Sequence, residues 1–167
     1  MDRIFHSATE IKNILTLGKT FTLIGGCFDL IHAGHIHLFE YASSLEDLLV
    51  VAVLSDNYIK KYKESDRPII NERQRAKMVA SIRYVDFVYI AETSPNSYET
   101  LFLLKPNSVV FGNEKSNTEK IQQRMETITE SSPNTKTHLF PRYKAEEIST
   151  SYIIKKIIDS RIGLFMN

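Results

Sequence analysis

The feature that most constrains this chain is an alternation: short apolar runs rich in β-branched residues recur between longer stretches at helical spacing. The runs are Phe21–Gly25, Leu48–Leu54, Phe87–Ile90, Ser108–Phe111 and Thr137–Phe140, each of strand length and bounded by polar residues. Several of the intervening stretches open on helix-capping pairs: Ser7 with Glu10, Asn71 with Gln74, and Ser116 with Glu119. In such pairs a short polar side chain and a Glu or Gln three residues on satisfy the first free backbone N–H groups of a helix. Strand–helix alternation at this spacing predicts an α/β, Rossmann-like fold, a five-stranded parallel sheet with helices on both faces. Five strands in one layer use up a chain of 167 residues, so residues 1–167 read as a single domain. No repeat, low-complexity tract or Gly/Ser linker interrupts it, and the polar stretch 129–137 around Pro133 reads as a surface loop.

The charge balance narrows the partners. With 21 basic against 20 acidic side chains and a formal charge of +1, the chain lacks the broad cationic surface of a nucleic-acid or membrane-binding protein. Binding of an anion must then be local, and between residues 60 and 75 six basic residues do face three acidic ones. The longest apolar run, Leu48–Leu54, is far short of the roughly 20 residues of a membrane helix. With no signal-like N-terminus either, a cytoplasmic protein is expected. A lone cysteine, Cys27, cannot form an internal disulfide, so the fold rests on its core.

Ligands of an open parallel sheet bind beyond the carboxyl ends of its strands, which directs attention to the loops there. Two apparent phosphate motifs fail on inspection. Gly18-Lys19-Thr20 mimics the end of a phosphate-binding loop, but Asn13 stands where that motif needs glycine, and the triplet precedes a strand rather than coming after one. Gly18 reads instead as a left-handed helix terminus. No GxGxxG sequence comes after the first long strand.

That strand runs instead into Gly25-Gly26-Cys27-Phe28-Asp29-Leu30-Ile31-His32-Ala33-Gly34-His35. His32 and His35 flank a glycine where a helix from about His35 to Ser43 should begin, so imidazoles, backbone N–H groups and the positive helix end converge on one space, suited to an anion. Gly25 and Gly26 let the chain turn, Gly34 admits close approach to a ligand, and Asp29 can hydrogen-bond within the loop. His37 lies two positions past His35 and points away on a helix. His6 and His138 have no supporting neighbours and read as ordinary polar side chains. A metal site built from His32, His35 and Asp29 is the competing reading, although the spacing matches no standard zinc signature.

Residues Gly26 to His35 resemble the first signature of the cytidylyltransferase-like nucleotidylyltransferases, the HxGH superfamily. Glu147-Ile148-Ser149-Thr150-Ser151 resembles its second signature, and Asp66-Arg67-Pro68-Ile69, Arg73-Gln74-Arg75 and Arg83-Tyr84-Val85-Asp86 resemble the segment between them. The similarity covers most of residues 21–158, in family order. It implies in-line attack of a substrate phosphate oxygen on the α-phosphorus of CTP or ATP, with loss of pyrophosphate and no covalent enzyme intermediate. The acceptor would be a small phosphorylated alcohol or sugar.

By the same resemblance His32 and His35 hold the triphosphate and its transition state, with Lys63 neutralising a phosphate beside Lys60 or Lys61. Arg75 would reach phosphate bidentately. Gly26, Cys27, Phe28, Asp29 and Gly34 would shape the nucleotide side of the first loop, Cys27 as a packing residue and not a nucleophile. Gly112 and Asn113 would border the nucleotide from the fourth loop, where relatives often carry aspartate. Arg142, or Lys144 in its place, would face phosphate, and Ile148, Ser149, Thr150 and Ser151 would open the last helix beneath the β- and γ-phosphates. Glu147 replaces the family's glycine. The resemblance further implies Mg²⁺ carried by the nucleotide phosphates and water, with no dedicated protein metal site, and a homodimer with Arg83–Asp86 near its interface.

The second signature points toward CTP, whereas Arg67-Pro68-Ile69 and the lysine spacing are more similar to the ADP-heptose synthase branch and point toward ATP. A non-catalytic nucleotide-binding subunit is the reading from another class, because a fold can outlive its activity.

Overall fold

The computed structural model describes residues 3–15, 18–62, 67–94, 97–112, 118–141 and 148–165. Lys63, Asn113, Arg142, Lys144, Glu147 and the cap at Ser116 lie outside the described residues.

The elements in chain order are β1 (Ile4–Phe5), α1 (Ala8–Leu15), β2 (Phe21–Gly26), α2 (Ala33–Ser43), β3 (Leu48–Leu54), α3 (Asp56–Tyr62) and α4 (Glu72–Ala80). They continue with β4 (Phe87–Ala91), α5 (Tyr98–Leu104), β5 (Ser108–Gly112), α6 (Thr118–Ser131), β6 (Lys136–Phe140) and α7 (Thr150–Phe165). The five expected strands are all present, within a residue of the expected ends. The sheet nevertheless has six strands, in the order β1-β4-β3-β2-β5-β6 with every pair parallel, which corrects the five-stranded expectation. The added strand is two residues long, Ile4 beside Val88 and Phe5 beside Tyr89. It forms because β4 would otherwise leave an open edge: Val88 N–H donates to Arg3 O at 2.8 Å, and Phe5 packs edge-on to Phe87.

Alternation along the strands sorts the core into two layers. Ile24, Leu49, Val51, Val53, Val88, Ile90 and Val110 face one way and are covered by Phe39 and Ala42 of α2 and by Ala76, Val79 and Ala80 of α4. Phe21, Leu23, Val50, Ala52, Tyr89, Val109 and Phe111 face the other way, under Ile11 of α1, Leu101 and Leu104 of α5, and Ile121 and Ile128 of α6. Helices therefore cover both faces, as expected.

The chain runs outward from β2 through β3 to β4, then returns to lay β5 on the other side of β2. The β2/β5 boundary is thus the point where strand order reverses, and the crevice opens between the loops that leave them. Two expected caps hold: Gln74 N–H donates to Asn71 Oδ1 at 3.0 Å, and Glu10 N–H to Ser7 Oγ at 3.2 Å. Among the described residues no helix is long and apolar enough to cross a membrane.

Candidate active site

The loop leaving β2 is shaped by one tight contact. A Cβ on Gly26 would lie 2.8 Å from the ring of Phe28, so glycine is what lets that ring fold back under the strand end. Phe28 takes φ +49°, a left-handed conformation costing a non-glycine residue about 1–2 kcal/mol. The ring, 4% exposed, offsets this by packing between His35 and Phe39, at centroid distances of 5.3 and 5.1 Å. The strained residue thereby gives His35 an apolar wall.

Helix α2 starts two residues earlier than the sequence suggests, and His32 is its N-cap residue. His32 O accepts from His35 N–H at 2.9 Å and Ile36 N–H at 3.3 Å, which places His35 in the first turn. The two imidazoles stack with centroids 3.8 Å apart and planes 22° apart. Gly34 makes room for this, since a Cβ there would sit 3.1 Å from the His32 ring. Burial, then the charge His32 can carry, push the His35 pKa down from 6.5 to about 3. His35 is therefore neutral at physiological pH, and its buried Nδ1 has no hydrogen-bond partner among the described residues. His37 turns outward toward Glu40, 3.8 Å away.

Two expected ligand contacts are corrected. Asp29 does not bond within its own loop: its carboxylate, 3% exposed, accepts from Ile69 N–H, Ile70 N–H and Arg67 Nη1, each at 2.9 Å at closest approach. Burial pushes that carboxyl up, but the Ile70, Ile69 and Arg67 hydrogen bonds together outweigh it and hold its pKa below the ordinary value. Arg75 does not reach out to phosphate either. It is 0% exposed and donates from Nε to Ile70 O at 2.8 Å, from Nη2 to Leu54 O and Asp56 Oδ1 at 2.7 Å each, and from Nη1 to Cys27 O. The signal was in the sequence: Arg75 shares its helix face with Ala76, Val79 and Ala80, where an arginine must be buried and internally satisfied.

The remaining positions gather at the same end of the sheet. Cys27 is half-buried, and its carbonyl accepts from Arg75 Nη1. Lys60 and Lys61 project, exposed, from the last turn of α3, directly after β3. Gly112 ends β5, and a Cβ there would meet open space. By the β2–β5 register, with Ile24 beside Val110, Gly112 is level with Gly26 across the crevice. The first turn of α7 closes onto the histidine loop. Ile148 Cγ2 lies 4.0 Å from the Cβ position of Gly34, Thr150 Oγ1 lies 3.5 Å from Leu30 O, and Ser149 Oγ caps the helix by accepting from Tyr152 N–H at 3.1 Å. Ser151 occupies an exposed position of that turn. Two segments more than a hundred residues apart in sequence thus meet, bringing the N-terminus of α7 beside that of α2 and its stacked imidazoles. Such an arrangement favours an anion.

Asp29 is spent on the 67–70 segment, and no three His, Cys, Asp or Glu side chains converge as a metal site among the described residues.

Comparison with known proteins identifies the family. The family described as cytidylyltransferase-like matches residues 23–156. A FAD synthase from Pyrococcus horikoshii is 35% identical over 144 residues, covering 84% of this chain and 94% of that protein. A bifunctional protein HldE from Desulfatibacillum aliphaticivorans is 40% identical over 104 residues, which is 62% of this chain but 21% of that protein, so the chain spans about a fifth of the HldE relatives it matches. Among solved structures, a lipopolysaccharide core biosynthesis protein from Thermoplasma volcanium superposes with a TM-score of 0.64 at 24% identity, covering 76% of this chain and 100% of that one, a likeness of fold.

Proposed function

The chain belongs to the cytidylyltransferase-like family of nucleotidylyltransferases, and on that premise we propose that it transfers a nucleoside monophosphate from a nucleoside triphosphate to a small phosphorylated acceptor. A phosphate oxygen of the acceptor attacks the α-phosphorus, the bond to the β-phosphate oxygen breaks, and pyrophosphate leaves. The stacked His32–His35 pair at the start of α2 carries this reading. A neutral imidazole at a helix N-terminus donates a hydrogen bond to a phosphoryl oxygen with its geometry already set, and gains as charge builds there in the transition state. Lys60 and Lys61, with Lys63, supply charge for the phosphates, and the N-terminus of α7 at Ser149 and Thr150 receives the β- and γ-phosphates. Mg²⁺ held by the triphosphate and water would neutralise further charge on the leaving pyrophosphate.

ATP is the favoured donor over CTP. FAD, the product named for the Pyrococcus horikoshii relative, contains an adenylyl group, and Arg67-Pro68-Ile69 resembles the ADP-heptose synthase branch. A homodimer acting in the cytoplasm belongs to the same reading.

The test is pyrophosphate release from ATP and CTP with a panel of acceptors: glycerol 3-phosphate, sugar 1-phosphates and flavin mononucleotide. At least one pair should turn over, and His32→Ala or His35→Ala should lower its kcat by roughly 10²–10⁴-fold. Normal nucleotide binding without release from any pair would leave a non-catalytic subunit in place of an enzyme. A loss under about tenfold in both folded variants would remove the histidines from the chemistry.

A further inference from the structure

Resting on that reading, we infer that Arg75 is a positioning residue: its buried guanidinium, with Glu72 one turn earlier, fixes the histidine loop and the lysine-bearing helix α3 relative to one another.

Four of the five N–H groups of the guanidinium are committed inside the protein, to Cys27 O, Leu54 O, Ile70 O and Asp56 Oδ1. These acceptors belong to three separate segments. Cys27 is in the loop that presents His32 and His35. Leu54 and Asp56 are the end of β3 and the start of α3, which presents Lys60 and Lys61. Ile70 is in the segment leading into α4. With no exposed surface, Arg75 offers nothing to a ligand, so its effect on phosphate chemistry passes through what it holds.

The grip is reinforced from both sides. Glu72 Oε2 accepts from Asp56 N–H at 2.6 Å, so α4 holds Asp56 by its backbone and by its carboxylate at once. In the opposite direction, Asp29 of the histidine loop takes the Ile69 and Ile70 N–H groups, while Arg75 takes the Ile70 carbonyl. Loop and segment are thus tied at two points, Asp29 accepting from the Ile69 and Ile70 N–H groups and Cys27 O from Arg75, which also holds the Ile70 carbonyl, and this leaves little freedom to slide. A lysine could not replace this, because a single ammonium cannot fork across acceptors on three segments. The buried carbonyls it failed to reach would lose their partners.

Positioning and direct phosphate contact predict different kinetics. Arg75→Lys should lower kcat by about 10²-fold, the scale expected when catalytic groups are displaced by about 1 Å, while KM for the nucleotide changes by less than about threefold. Asp56→Asn, on a residue at the margin of the buried cluster, keeps an acceptor oxygen but drops the ion pair. It should lower kcat by about tenfold, and the double variant should lose less than the product of the two singles because both act on one contact. Hydrogen exchange supplies a readout that does not need turnover: the Ile69, Ile70 and Asp56 amides should exchange at least about tenfold faster in both variants while Val51 in the sheet keeps its protection.

Two results would overturn the inference. One is a nucleotide KM raised about 10²-fold at unchanged kcat, the mark of a direct phosphate contact. The other is wild-type kcat or wild-type exchange in folded Asp56→Asn, which decides the matter even if Arg75→Lys fails to fold. If the unmodified protein turned over no substrate pair, the proposed reaction would fail by itself, and exchange at Ile69, Ile70 and Asp56 would still decide whether Arg75 and Asp56 hold the two elements together.

Discussion

Acidification from pH 7 to pH 5 should cost the wild-type protein about 2 kcal/mol of stability through His35 alone. In the unfolded chain this imidazole binds its proton near 6.5, whereas burial in the folded state, with His32 stacked on it, lowers the value to about 3. Between those values the unfolded state holds a proton that the folded state refuses, so stability falls as pH is lowered through the window and is fully present above it. At pH 7 the term is nearly zero; at pH 5 the unfolded state is about 1.5 units below its pKa, which at 1.36 kcal/mol per unit gives about 2 kcal/mol. Asp29 contributes little here, because its pKa is held below 3.8 and it stays ionised in both states over most of the range. The assay is urea unfolding at pH 7 and pH 5 for wild type and His35→Gln. Wild type should lose about 2 kcal/mol more than the variant across the interval. Parallel losses in the two proteins, or an imidazole resonance of His35 titrating near 6.5, would refute the burial argument.

Two glycine substitutions separate packing from chemistry. Gly26→Ala puts a methyl 2.8 Å from the Phe28 ring, which cannot retreat because Phe39 and His35 back it. Overpacking should cost about 2 kcal/mol and lower Tm by roughly 4–8 °C in a thermal melt, and an unchanged Tm would show that the ring has room. Gly34→Ala brings a methyl 3.1 Å from the His32 ring but improves helix propensity by up to about 1 kcal/mol. Stability should hold or rise while kcat falls by about tenfold as the imidazole shifts; wild-type kcat would mean that the stacked geometry is not what the reaction uses.

The parts of the site that were legible in the sequence are those whose physics is local. His32, Gly34 and His35 lie within one turn of each other, and a strand before and a helix after are enough to turn them to a common space. The Asn71–Gln74 and Ser7–Glu10 caps span three residues and form as read. The parts that were not legible depend on partners far away. An aspartate in a tight loop ordinarily bonds its own backbone, and nothing near Asp29 announces that Ile69 and Ile70 will present their N–H groups to it. Arg75 looked like a phosphate ligand because arginines in such sequences serve that role, and its company of Ala76, Val79 and Ala80 on one helix face was the sign that it would be buried instead. Strand β1 left no pattern, since two residues carry no periodicity; only the open edge of β4 gives them a place.

By itself, the sequence determined the strand–helix alternation, the parallel sheet it implies, and the loop on which two histidines meet a helix start. These come from backbone hydrogen bonding and side-chain periodicity, which act over a few residues. Tertiary structure decided which distant partners the buried charges take and so which charges stay exposed. Asp29 and Arg75 are as ionic in the sequence as Lys60, yet both are turned inward. Once the β2 loop, α3 and α4 meet at one end of the sheet, their buried carbonyls and N–H groups need partners, and these two side chains are the ones that reach them.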